Sequence, residues 1–178
     1  VPAKVCATYH NDCNRASCDF NTCKNLEKSG VRVTYLPVNR NGIVLPEHVE
    51  RAIRPDTVLI SVMYANNEIG SIQPIRKIAE IAHRRKVLFH TDAVQAYGQI
   101  PILVKEEGID LLSASGHKFN GPKGTGFLYA RQGLKLQPMI HGGGQERKCA
   151  PEQKMCPESL VLEWQHAVLL RFWKKDAL

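Results

Sequence analysis

With 178 residues, 43% of them hydrophobic, the chain is long enough to close one domain around a real core. The formal net charge of +7 is spread along the chain, with no basic block longer than Arg84, Arg85 and Lys86, which argues against a nucleic-acid or polybasic membrane surface. No apolar run approaches the roughly 20 residues of a spanning helix, and VPAKVCATYH lacks the apolar centre of a signal peptide, so the chain reads as cytoplasmic.

From Asn21 onward, helix-like and strand-like segments alternate, the pattern of an α/β domain with a mostly parallel sheet and flanking helices. NTCKNLEKSG reads as a helix, and VRVTYLPV as a strand. LPEHVERAI is a short helix opened by Pro46. TVLISVMY, rich in β-branched residues, predicts a strand buried on both faces. In PIRKIAEIAHRR, Ile75, Ile78, Ala79 and Ala82 share one helical face, with Pro74 at the start and a basic last turn that suits the helix dipole. VLFHTD, IDLLSAS and GTGFLYA are three further strands. The six cysteines fall into two terminal groups, Cys6, Cys13, Cys18 and Cys23 against Cys149 and Cys156. Neither group has paired CxxC spacing, and no metal site is expected.

Ligands of open α/β sheets bind where strands end, because loops and helix N-termini converge there. Three strand ends in this sequence carry polar residues: Asn66, Asn67 and Glu68 after the first, Asp92 and Gln95 after the second, and Ser115, His117 and Lys118 after the third. A partly desolvated lysine at such a place loses its proton more readily and attacks a carbonyl to form a Schiff base, whereas in solvent it is an ordinary loop lysine. Asp92 suits either a helix N-cap or the partner of a protonated pyridine nitrogen. Taken alone, Asn67 reads as an ordinary turn residue and Gln95 as an ordinary first-turn helix residue. The small residues around Ser115 and Gly116 suit a backbone close to a phosphate, and also a plain tight turn.

Four motifs in order, YANNEIG, HTDAVQAYG, SGHKFNGPKGTG and HGGGQER, resemble the pyridoxal-phosphate enzymes of the class V aminotransferase type, specifically the cysteine desulfurases. The resemblance runs from Asn21 to Arg147 and implies part of the large, cofactor-binding domain of a fold-type I enzyme. It further implies that Lys118 holds pyridoxal 5'-phosphate through a Schiff base and that Asp92 pairs with the ring nitrogen. Gln95 and Asn67 would contact the phenolic oxygen, and Ser115 and His117 the phosphate. The implied reaction converts L-cysteine to L-alanine and passes sulfur, as an enzyme persulfide, to an acceptor or scaffold protein of iron-sulfur cluster assembly or another pathway. Family members are homodimers. Selenocysteine lyase is the alternative within the class, since GGGQER suits both, and a non-catalytic α/β interaction module or pseudogene product is the alternative outside it.

Before Asn21 and after Arg147 the likeness stops. After GGGQER the family continues with RPGT and an apolar helix, whereas here KCAPEQKMCPESLVLEW follows. Read from the third base of each codon, with suitable synonymous codons, that stretch permits a continuation beginning VRPGTENVPG. VCATYHNDCNRASCDF, read from the second base, permits a segment with the family's EH pair, whose histidine stacks on the cofactor. Residues 1–20 and 148–178 are therefore expected to be out-of-frame translations around an in-frame centre, 21–147. Five cysteines then carry no family role, and Cys23 is a surface or packing residue. The family's persulfide cysteine and carboxylate-binding arginine have no counterpart, and the chain by itself is expected to be an inactive fragment of poor stability.

Overall fold

The structure, a computed structural model, describes residues 4–8 and 17–136. Its elements are β1 (Lys4–Thr8), α1 (Ser17–Lys28), β2 (Arg32–Leu36), α2 (Pro46–Ala52), β3 (Thr57–Met63), α3 (Ile75–Arg84), β4 (Leu88–Asp92), β5 (Leu111–Ser115), the 3-10 turn Gly116–Phe119, and β6 (Gly126–Ala130). Six strands form one sheet in the order β2-β1-β3-β4-β5-β6. All pairs are parallel except β5 with β6. The exception follows from chain length: only residues 116–125 separate the two strands, too short a path to hold a crossover helix.

The elements read from sequence are all present. The amphipathic face of α3 buries Ile75, Ile78, Ala79, Ile81 and Ala82, while His83 and Arg84 occupy its last turn. Pro46 opens α2, where its missing N–H leaves no hydrogen bond unmade. The two helices pack together, and α3 lies on β4. Between helices and sheet lies one core in which Val49, Ile60, Val62, Ile78, Phe89 and Leu112 are almost fully buried. Each of these side chains contributes about 1.5–3 kcal/mol relative to exposure. Residues pointing to this side alternate with Ser61, Met63, His90, Asp92, Ser113 and Ser115, which stand half-buried on the opposite face. The strands are thus buried on one face and partly open on the other among the described residues, rather than doubly buried as TVLISVMY suggests.

One strand has no forerunner in the sequence reading. The backbone of Lys4–Thr8 lies between β2 and β3, in register with both, although a shift interrupts its pairing with β3 at Lys4 and Val5. Helix α1 likewise begins at Ser17, ahead of the expected boundary at Asn21. Cys23, expected as a surface or packing residue, is buried on this helix. HGGGQER, Cys149, Cys156 and the segment 148–178 lie outside the described residues. Among the described residues, no helix is long and apolar enough to cross a membrane, and no cluster of three or more His, Cys, Asp or Glu could hold a metal ion.

Candidate active site at the C-terminal edge of the sheet

Because β3, β4 and β5 are parallel, their C-terminal ends share one edge of the sheet. Met63 pairs with Asp92, and Asp92 with Ser113, so the register brings the end of each strand level with its neighbour. Every site residue read from the sequence is carried by a segment leaving this edge.

After β3, the chain turns on Asn66 rather than Asn67. The buried Asn66 accepts hydrogen bonds at Oδ1 from the backbone N–H groups of Glu68 and Ile69, at 2.9 and 3.0 Å. Asn67 is left exposed at the rim. After β4, the backbone N–H of Val94 donates to Oδ1 of Asp92 at 2.9 Å, a short Asx turn. Gln95 follows in this turn and is half-buried; no regular helix forms here, so Asp92 is not an N-cap. The main-chain oxygen of Asp92 also accepts from the N–H of Tyr64 at 2.7 Å, tying the ends of β3 and β4 together.

After β5, the 3-10 turn carries His117 and Lys118. Nδ1 of His117 lies 2.8 Å from Oγ of Ser115, an intimate pair two residues apart. Both His117 and Lys118 are exposed, so the lysine has less burial than a desolvated Schiff-base lysine calls for. The turn is firmly anchored beneath them. Phe119 is buried and meets Tyr97 edge-on with ring centroids 5.0 Å apart, and Tyr97 meets Phe127 of β6 in the same way at 4.9 Å. Burial pushes the Tyr97 phenol up to about 12, so it stays protonated. Nε2 of Gln99 donates to the main-chain oxygen of Lys118 at 3.3 Å, joining the β4 and β5 loops.

Two backbone positions make this turn possible. Asn120 ends it with φ of 65°, a conformation that Asn tolerates better than most residues. Gly126 begins β6 so close to β5 that an added Cβ would stand 2.7 Å from the oxygen of Ala114. The close backbone approach at Gly126 and the aromatic anchor of Tyr97, Phe119 and Phe127 are not among the features expected from the sequence. The anchor's only sequence signal is an aromatic residue in each of two motifs, Tyr97 and Phe119, and a third, Phe127, in the strand after them, which become a cluster once the strands are aligned.

The donor set suits pyridoxal phosphate. An amine, a carboxylate, and a hydroxyl beside an imidazole match its carbonyl, ring nitrogen and phosphate, and all leave the same sheet edge. A cleft of about 1080 Å³ opens at the opposite edge, lined by His83, Lys86, Lys105 and Arg131 among others. None of Asp92, Ser115, His117 and Lys118 lines it, and its buried carboxylate, Asp110, is already paired with His83 and Arg131.

Comparison with known proteins gives the chain's family and fold. Residues 14–160 match the family model of aminotransferase class-V. Cysteine desulfurase IscS of Methanosarcina thermophila is 60% identical over 129 residues, covering 72% of this chain and 32% of the relative. Cysteine desulfurase IscS of Dictyoglomus turgidum is 57% identical over 124 residues, covering 70% and 32%. Among solved structures, a NifS-like protein superposes with a TM-score of 0.88 at 34% identity over 98% of this chain and 47% of its own. A structure described as SspA in complex with cysteine gives 0.82 at 40% identity over 88% and 45%. The chain spans about a third of the length of these curated relatives. By its family match and the fold beneath it, the chain belongs to the class V aminotransferases.

Proposed function

We propose that this chain is the cofactor-binding part of a cysteine desulfurase, with Ser115 at the end of β5 and His117 and Lys118 on the 3-10 turn that follows, at the same sheet edge as Asp92, as the observation that carries the reading. Pyridoxal phosphate is the cofactor general to this family. When bound, it supplies an electron sink for the bond broken at the substrate's α-carbon. Lys118 would hold it through Nζ, Asp92 would face its ring nitrogen, Gln95 and Asn67 its phenolic oxygen, and Ser115 with His117 its phosphate.

The chain's own groups have separable tasks. The hydrogen bond between Ser115 and Nδ1 of His117 fixes the imidazole and leaves Nε2 directed to another partner. The Val94 N–H holds one oxygen of Asp92, setting the carboxylate plane. The amine of Lys118, on a turn anchored by Phe119, would take and return a proton. In the overall reaction an enzyme thiol takes the sulfur of L-cysteine, giving L-alanine and a persulfide, with the thiol and an acceptor protein supplied from outside the described residues. We place the protein in the cytoplasm, as a homodimer serving a sulfur-acceptor protein. Taken alone, the 178-residue chain is read as inactive, with segments 1–20 and 148–178 out of frame; alanine formation from cysteine by the purified chain, or genomic reads without frame junctions, would overturn that part.

The test of the site is cofactor capture. Incubation with pyridoxal phosphate should give a yellow protein, and borohydride reduction should fix the label on the Lys118 peptide. Lys118→Ala should abolish both signals. A colourless, unlabelled protein would overturn the reading in favour of a non-catalytic module.

A further inference from the structure

His90 lies on β4 two residues before Asp92, so both side chains leave the same, partly open face of the sheet. Its two ring nitrogens are both engaged. Nδ1 is 2.8 Å from Oγ of Ser61 on β3, and Nε2 is 2.8 Å from Oγ of Ser113 on β5. Ser61 is the direct cross-strand partner of His90, whereas Ser113 is the partner of Asp92, so the second contact runs diagonally toward the site. The imidazole therefore spans three strands directly behind the rim that carries Asp92 and Ser115.

The chemistry of the two partners matters. A carboxylate or carbonyl at each nitrogen would demand that both carry protons, and hence an imidazolium. A hydroxyl donates or accepts, so a neutral ring with one N–H is fully satisfied by two serines. This face carries the Asp92 charge close by, with Ser61 and Met63 beside His90 from β3 and Leu111, Ser113 and Ser115 from β5. A cation at His90 would compete with any positive group brought to Asp92 from the rim.

We infer that His90 is a positioning residue, an uncharged strut that holds the ends of β3, β4 and β5 in register and leaves the Asp92 carboxylate free to receive a cationic ring nitrogen. The second clause rests on the cofactor reading proposed above; the first does not. Burial pushes the imidazole below its ordinary value of 6.5, more than the neighbouring Asp92 charge pulls it back, in keeping with the geometry.

The first measurement is the nitrogen-15 imidazole spectrum of the 178-residue chain without cofactor. His90 should show one neutral tautomer that persists as the pH falls through 6.5. Either Ser61→Ala or Ser113→Ala should release one nitrogen and change that signature. Averaged tautomers or titration at the ordinary value in the unsubstituted chain would overturn the strut, as would serine variants with an unchanged spectrum. The second measurement is pyridoxal phosphate binding. His90→Lys should bind about tenfold more weakly than His90→Asn when the two unfold at similar temperatures. Equal binding would overturn the Asp92 clause, and if His90→Lys does not fold, the serine variants decide the strut alone. A chain that keeps a single neutral tautomer but takes up no cofactor sinks the cofactor reading and the Asp92 clause, and leaves the strut standing.

Discussion

Asp92 closes β4 at the C-terminal edge of the sheet, while Asp110 stands just before β5 at the opposite edge. Asp110 is fully buried and saturated. Its Oδ1 accepts from Nε of Arg131 at 2.6 Å, and its Oδ2 accepts from the N–H of Phe89 at 2.9 Å and lies 3.0 Å from Nε2 of His83. Asp92 is half-buried and takes a local N–H from its own turn. Two carboxylates on adjoining segments of one sheet are thus used differently: one is spent on joining α3, β4 and β6, and the other is presented at a rim. A titratable group whose hydrogen-bonding capacity is filled from within the fold has little left for a ligand, and that separates structural from functional charge more sharply than residue type does.

The contrast can be broken by substitution. Asp110→Ala should cost about 2–3 kcal/mol of unfolding free energy, because it leaves the buried Phe89 N–H without its acceptor and removes the hydrogen bonds to the partly exposed Arg131 and His83. Urea unfolding measures it, and a loss below about 1 kcal/mol would place Asp110 in the same class as Asp92. Gly126→Ala should cost about 1–3 kcal/mol, since the clash with the Ala114 oxygen is with backbone that cannot rotate away; an unchanged urea midpoint would show that β6 can shift. Arg131→Ala should cost about 1 kcal/mol, less than Asp110→Ala because the guanidinium is more than half exposed. Asp92→Asn should change stability by no more than about 0.5 kcal/mol while weakening cofactor capture, and a large loss of stability would make Asp92 structural.

Acid sharpens the same comparison. Burial pushes the Asp110 carboxyl up, but the Phe89 N–H, Arg131 and His83 hold it down more strongly, and the net shift is below 3.8. The unfolded chain therefore binds the proton first, and stability rises with pH across that window. The contribution of Asp110 is present above pH 3.8 and is lost as the pH falls below it through the depressed folded value. The stability difference between the parent chain and Asp110→Ala should shrink over that interval and stay constant between pH 5 and 7 or so. A constant difference down to the lowest pH would mean the folded carboxyl is not held down.

Much of this was legible in the sequence because the signals were local. The period of Ile75, Ile78, Ala79 and Ala82 fixes a helix and its buried face, since spacing alone places those side chains on one stripe. The β-branched run of β3 and the polar residues after each strand likewise depend on neighbours in the chain, which is why the strand ends could be read locally; the choice of Asn67, Asp92, Gln95, Ser115, His117 and Lys118 among them came with the family resemblance. β1 was not legible. KVCAT lies in the segment expected to be out of frame, and its place between β2 and β3 comes from pairing with strands far along the chain.

What the amino-acid sequence determined by itself is the order of elements and the identity of the residues at the strand ends, both set by local spacing and side-chain chemistry. Only the tertiary structure decided which of those groups are already satisfied. It paired Asp110 with His83 and Arg131, stretched His90 between Ser61 and Ser113, and set Phe119 against Tyr97. The reason is physical: a hydrogen bond or ring contact across strands depends on register, and register is fixed by the packing of the whole sheet against its core rather than by any segment's own composition.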